Sequence, residues 1–140
     1  MLTGLERQVF DYIESKRDPM LGFLQKMVRI DTQTPPGLNY DTLCELLADK
    51  YNSLGYETSI HEATEKYLRL SGASHMGLEG PRSNIVARLK GSGAGHILHI
   101  SAHTDTAAIQ DEGWTVDPLG GKVTSDTPFT KSIHDRGGGY

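Results

Sequence analysis

Two residues of this chain are spaced for metal chemistry. His103 and Asp105 close the stretch His96-Ile97-Leu98-His99-Ile100-Ser101-Ala102-His103-Thr104-Asp105. On extended backbone, residues two apart point to the same side. An imidazole placed there can give one ring nitrogen to a metal while the carboxylate holds the other N–H, fixing both tautomer and orientation. The His-x-Asp triplet is short and recurs by chance, so its setting has to carry the argument. Ile97 to Ala102 is nearly all apolar or small and follows a glycine-rich turn, which predicts a strand buried on both faces in the middle of a sheet. In open α/β sheets, ligands bind beyond the carboxyl ends of such strands.

The other candidate ligands are weaker. His99 falls on the same face of the expected strand as His103, but four residues of strand separate them by roughly 13 Å, too far for a shared metal. A cluster of His96, His99 and His134 with His103 is therefore disfavoured, and His99 reads as a satisfied strand histidine. His61 reads as a solvated strand residue, and His75 lies in a surface connection. Cys44 is the only cysteine, which excludes an internal disulfide and any multi-cysteine zinc cluster. Any metal must be held by histidine and carboxylates. Nothing near Cys44 in sequence would lower its pKa, so it reads as an inert helix residue rather than a nucleophile.

Composition narrows the partners. The chain has 140 residues, about one domain's worth, with 14 lysines and arginines against 18 acidic residues and a formal charge of −4. No basic stripe invites nucleic acid. No run approaches the ~18 apolar residues of a membrane span. The start carries an acid and no apolar core of a secretory signal, so a cytoplasmic protein is expected. The end, Arg136-Gly137-Gly138-Gly139-Tyr140, reads as an interruption within a glycine-rich stretch.

The elements that must position His103 can be read in order. Leu5, Val9, Tyr12 and Ile13 share a face of a helix over about 3–16. Asp18 as N-cap with Pro19 at the first helical position predicts a second helix carrying Met20, Phe23, Leu24, Met27 and Val28. The methionines read as core rather than as a binding groove. Asp31-Thr32-Gln33-Thr34-Pro35-Pro36-Gly37 breaks that helix and is a loop. Thr42-x-x-Glu45 reads as a capping box opening a third helix that Gly55 ends. Residues 56–61 and 84–89 are predicted strands, 66–70 a further strand, and 71–82 a surface connection. Gly91-Ser92-Gly93-Ala94-Gly95 is expected to make a hairpin turn into the 97–102 strand, and it lacks the ending of a phosphate-binding loop. The fold class that follows is α/β, a layered domain with a central mixed β-sheet flanked by helices.

Beyond Asp105 the chain continues with Trp114-x-x-Asp117-Pro118-Leu119 and then Arg136-Gly137-Gly138-Gly139-Tyr140. Together with Thr34-Pro35-Pro36-Gly37-Leu38-Asn39-Tyr40 and Asn84-Ile85-Val86-Ala87, this order resembles the catalytic domain of the di-zinc aminoacylase and carboxypeptidase family, which includes acetylornithine deacetylase and succinyl-diaminopimelate desuccinylase. The likeness covers roughly residues 20–140. It implies that His103 ligates zinc and that Asp105 is the catalytic-site carboxylate bracing its imidazole. It also implies two zinc ions per complete site, with cobalt as a substitute, and an N-acyl amino acid or small peptide as substrate. Trp114 and Asp117-Pro118 would shape the turn beyond the site.

The resemblance has departures. Where the family carries Gly-Arg-Gly-x-x-Asp, this chain has Asp135 to Tyr140, so a neutral phenol stands where a carboxylate bridges the two metals. Leu119 replaces phenylalanine. The family's general-base glutamate, its remaining ligands and its dimerisation domain lie further downstream than residue 140. The expectation is thus the amino-terminal portion, residues 1–140, of a zinc-dependent amide hydrolase. The full-length protein would be a homodimer, and this chain by itself is expected to be inactive and to leave apolar surface open. The competing expectation is a non-catalytic α/β binding or interaction protein derived from that family.

Overall fold

The computed structural model of the chain describes residues 3–72, 77–93, 95–110, 113–127 and 130–133. Helices and small sheets of both parallel and antiparallel pairing make it an α/β protein. It divides into two compact units, Met1–Arg29 with Asp111–Tyr140, and Ile30–Gln110.

In the first unit, α1 (Gly4–Ser15) forms where the apolar periodicity places it. Thr3 caps it, its hydroxyl accepting from Glu6 N while the Glu6 carboxylate accepts from Thr3 N and Oγ1. These bonds hold the Glu6 carboxyl below its usual range. The apolar stripe of α1 is exposed along its length. Helix α2 (Arg17–Val28) begins earlier than the sequence indicates. Lys16 both ends α1 and opens α2, so Asp18 sits in the first turn and does not cap. An acid there still complements the helix dipole. At the other end, Gln25 Nε2 donates to Gly121 O at 2.7 Å and Arg29 Nε to Gly120 O at 3.3 Å. Asp117 builds the turn before them, its Oδ1 accepting from Leu119 N at 2.9 Å and its carbonyl from Gly120 N at 3.1 Å. Strands β5 (Val123–Thr127) and β6 (Thr130–Ile133) pair antiparallel.

The second unit carries the core. Helix α3 (Tyr40–Ser53) packs on the antiparallel pair β2 (Glu57–Glu62) and β3 (Ser83–Arg88), and buries Tyr40, Leu43 and Cys44. Gly55 follows α3 at φ 85, as expected of a left-handed C-terminal cap. The start of α3 differs from the sequence expectation. Asn39, itself left-handed at φ 61, precedes the helix and makes no side-chain cap; its Nδ2 donates to Asp31 O at 2.8 Å. The predicted box at Thr42 and Glu45 lies inside the helix, whose N-cap, Asn39, comes three residues before Thr42.

Residues 66–70 are also corrected. They belong to α4 (Glu65–Leu70), capped by Thr64 and carrying a Glu65–Arg69 ion pair one turn apart. Thr64 and that i,i+4 pair favour a helix over a strand.

The largest difference concerns 97–102. Among the described residues this stretch joins no ladder, and Ile97, Leu98 and Ile100 are 92%, 84% and 80% exposed. Among the described residues strand β3 pairs only with β2, not with the 97–102 stretch that the expected hairpin would have brought beside it. A strand needs a neighbour to take its N–H and C=O groups, and among the described residues none pairs with this segment. Pairing resumes at β4 (Thr106–Ala107), parallel to β1 (Gln33–Thr34) in the register Gln33↔Thr106 and Thr34↔Ala107.

Loop 34–40 is tied down by Arg82. Its guanidinium is buried, donating Nη1 to Gly37 O at 2.6 Å and Nη2 to Pro36 O at 2.8 Å, with its carbon 5.0 Å from the Tyr40 ring centroid. Gly37 has φ 80, and a Cβ there would fall on the guanidinium. Gly37→Ala should therefore cost about 1–3 kcal/mol, read as a lower urea midpoint; an unchanged midpoint would show that the loop does not need this backbone. Acidification should act on α1. A carboxyl whose folded pKa is depressed contributes stability that is present above its unfolded value and lost as pH falls through the folded one. Amide protection factors at Glu6 and Arg7, taken relative to the intrinsic exchange rate at each pH, are expected to fall as pH drops through and below the ordinary carboxylate range, and protection factors that do not change there would refute the cap.

Candidate functional site

The segment just before α3 is hydrogen-bonded to the backbone around Asp105. Thr32 is 3% exposed. Its hydroxyl donates to Thr104 O at 3.0 Å, and its carbonyl accepts from Thr106 N at 3.1 Å. Gln33 adds a longer reach, with Oε1 accepting from Ile109 N while Nε2 donates to Asp31 Oδ1 at 2.9 Å. Asp31 Oδ1 also accepts from Gln33 N at 3.1 Å. Gly37 N, donating to Gln33 O at 2.7 Å, passes the Arg82 tether into the same segment.

Held this way, His103 and Asp105 lie on one side of the backbone. His103 Nδ1 is 3.0 Å from Asp105 O and 3.2 Å from Asp105 Oδ1. A backbone carbonyl only accepts, so Nδ1 carries the proton and splits it between the two oxygens. In the neutral ring Nε2 is then a lone-pair nitrogen. The His103 side chain is 82% exposed, so that nitrogen is open to solvent. The pairing expected from a two-residue spacing is present, although the backbone leading into it is not the buried strand that the spacing argument assumed.

His103 thus fits one position of a metal shell of nitrogen and oxygen donors. Among the described residues no group of three His, Cys, Asp or Glu side chains is gathered tightly enough to hold an ion. His96 and His99 are exposed, and no metal group joins them to His103. His61 is an exposed strand residue, as read from sequence, with Nε2 2.9 Å from Ser59 Oγ. His75, His134, Asp135, Arg136 and Tyr140 lie outside the described residues. Trp114 is half-buried in the first unit.

Sequence reasoning missed Thr32, Gln33 and Arg82. The first two sit in what reads as an irregular loop, and their roles depend on partners more than 70 positions away. Arg82 was passed over inside a surface connection. The signal available was a lone arginine beside a β-strand start, which does not reveal that its partners are the Pro36 and Gly37 carbonyls.

Comparison of the chain with protein-family models, with curated protein sequences and with solved structures gives no match. No helix among the described residues is long and apolar enough to cross a membrane.

Cys44 can be set aside as a nucleophile. It is fully buried against the sheet, and burial pushes its thiol pKa up, with Asp41 adding to the rise. The thiolate is the reactive form. Native protein should react with a disulfide reagent far more slowly than denatured protein, and equal rates would place the thiol at the surface.

Proposed function

We propose that this chain is the amino-terminal portion of the catalytic domain of a zinc-dependent amide hydrolase of the aminoacylase and carboxypeptidase type, acting on N-acyl amino acids or small peptides. In the complete domain, Ile97–Ala102 would be the central strand of a layered mixed sheet. The full-length enzyme would be a homodimer carrying two zinc ions, or cobalt, per site. One observation carries this reading: His103 has its Nδ1–H engaged by Asp105 and its Nε2 presented to solvent.

In this chain Asp105 keeps the imidazole in one tautomer and, through its charge, makes Nε2 a better donor. His103 would hold the ion. Bound zinc supplies a polarised amide carbonyl and a water of lowered pKa. Tyr140, at the bridging-carboxylate position in sequence, favours a second reading in which the chain binds a single metal without turnover or serves as an interaction module.

Zinc titration followed by calorimetry, with hydrolysis of N-acetyl amino acids measured in parallel, tests the proposal. Zinc binding should be lost in His103→Ala and weakened about 10–100-fold in Asp105→Asn, the usual consequence of removing a carboxylate behind a histidine ligand. Zinc binding that is absent, or indifferent to both substitutions, removes the basis for a hydrolase. Turnover by this chain would reject the single-metal reading and its assumption that the phenol disables the site.

A further inference from the structure

We propose that Thr32 is the positioning residue of the His103 site, acting through the two peptide groups that flank Asp105. This deepens the metal-ligand reading of His103 and rests on it.

The argument starts from peptide planarity. Asp105 C=O and Thr106 N–H belong to one peptide plane, and Thr104 C=O and Asp105 N–H to the one before it. Thr32 holds both. Its carbonyl accepts from Thr106 N at 3.1 Å, and its hydroxyl donates to Thr104 O at 3.0 Å. Fixing the two planes on either side of one Cα fixes φ and ψ of Asp105. That sets the direction of the Asp105 carbonyl, which lies 3.0 Å from His103 Nδ1, and the base from which its carboxylate reaches the same nitrogen at 3.2 Å.

His103 and Asp105 are both exposed, so water competes for each of their hydrogen bonds. Thr32 is 3% exposed, so water does not compete for the bonds that aim them. The buried residue supplies order that the exposed pair could not keep by itself. Both bonds come from one residue, through one side-chain and one main-chain atom. Only the hydroxyl can be removed by substitution, and only serine replaces it with the same donor at the same reach.

The test is nitrogen-15 NMR of the His103 ring in the 140-residue chain, without metal, at a pH where the ring is neutral. The unaltered chain should show well-separated Nδ1 and Nε2 shifts, the signature of a single Nδ1–H tautomer. In Thr32→Val, which keeps the shape and the carbonyl, the tautomer ratio should fall about fivefold, the effect of one net hydrogen bond, and the two shifts should converge. Thr32→Ser should restore the separation. Amide spectra of α3, β2 and β3 establish whether each variant is folded. A folded Thr32→Val with unchanged ring shifts overturns the proposal. If Thr32→Val does not fold, Thr32→Ser decides: retained separation supports the role and lost separation rejects it. Zinc titration of the unaltered chain fails or succeeds independently, so a faulty metal reading and a faulty positioning role give different results.

Discussion

The candidate site depends on a parallel pairing only two residues long. Two-stranded pairings are marginal even at greater length, and each neutral hydrogen bond adds only about 1 kcal/mol net. The contact between β1 and β4 therefore needs support from outside the ladder. Arg82 provides it. Its guanidinium crosses to the Pro36 and Gly37 carbonyls and lies against the Tyr40 ring, so loop 34–40 is closed over the end of β1. Among the described residues no carboxylate pairs with this cation. Burying it is tolerable because charge-assisted bonds to neutral carbonyls are stronger than ordinary ones and because a desolvated ring face attracts a cation. A lysine could not span two adjacent carbonyls in this planar fashion.

What the sequence made legible follows from which interactions are local. Helix α1, the end of α3 at Gly55 and the strands β2 and β3 were readable because periodicity and a left-handed glycine are properties of neighbouring residues. The start of α3 was misread for the same reason. Thr42 and Glu45 have the composition of a capping box, yet Asn39 governs the entry with a positive φ and a bond back to Asp31 that no local pattern records. At 65–70 the Thr64 cap with the Glu65–Arg69 pair favours a helix over the short strand expected there.

Residues 97–102 mark where pattern reading ends. An apolar run states that a segment can be buried, not that neighbours exist to bury it, and here Ile97, Leu98 and Ile100 face solvent. The His-x-Asp spacing is a different kind of signal. It predicted same-side pairing on the assumption of an extended backbone, and the pairing is found without the strand. The reason is that its geometry is set over three residues by Thr32, whose own position depends on loop 34–40 and so on Arg82. None of these three has a spacing to His103 that sequence alone would flag.

The arrangement also separates two demands that would fall on His103 as the proposed metal ligand. A ligand must be oriented, and it must be accessible. At this site orientation is supplied from the buried side by Thr32 through the backbone of Asp105, and accessibility is left to the opposite edge of the ring, where Nε2 faces solvent. An imidazole oriented by a rigid partner gives up less rotational freedom on binding than one held only by its own rotamer preferences. Preorganising a single donor does not by itself create high affinity, since an ion also needs further donors to replace its hydration shell. It sets the direction from which they must approach. If His103 holds an ion, as proposed, that ion lies on the solvent side of the ring, away from Asp105, and any further ligand would have to reach it there.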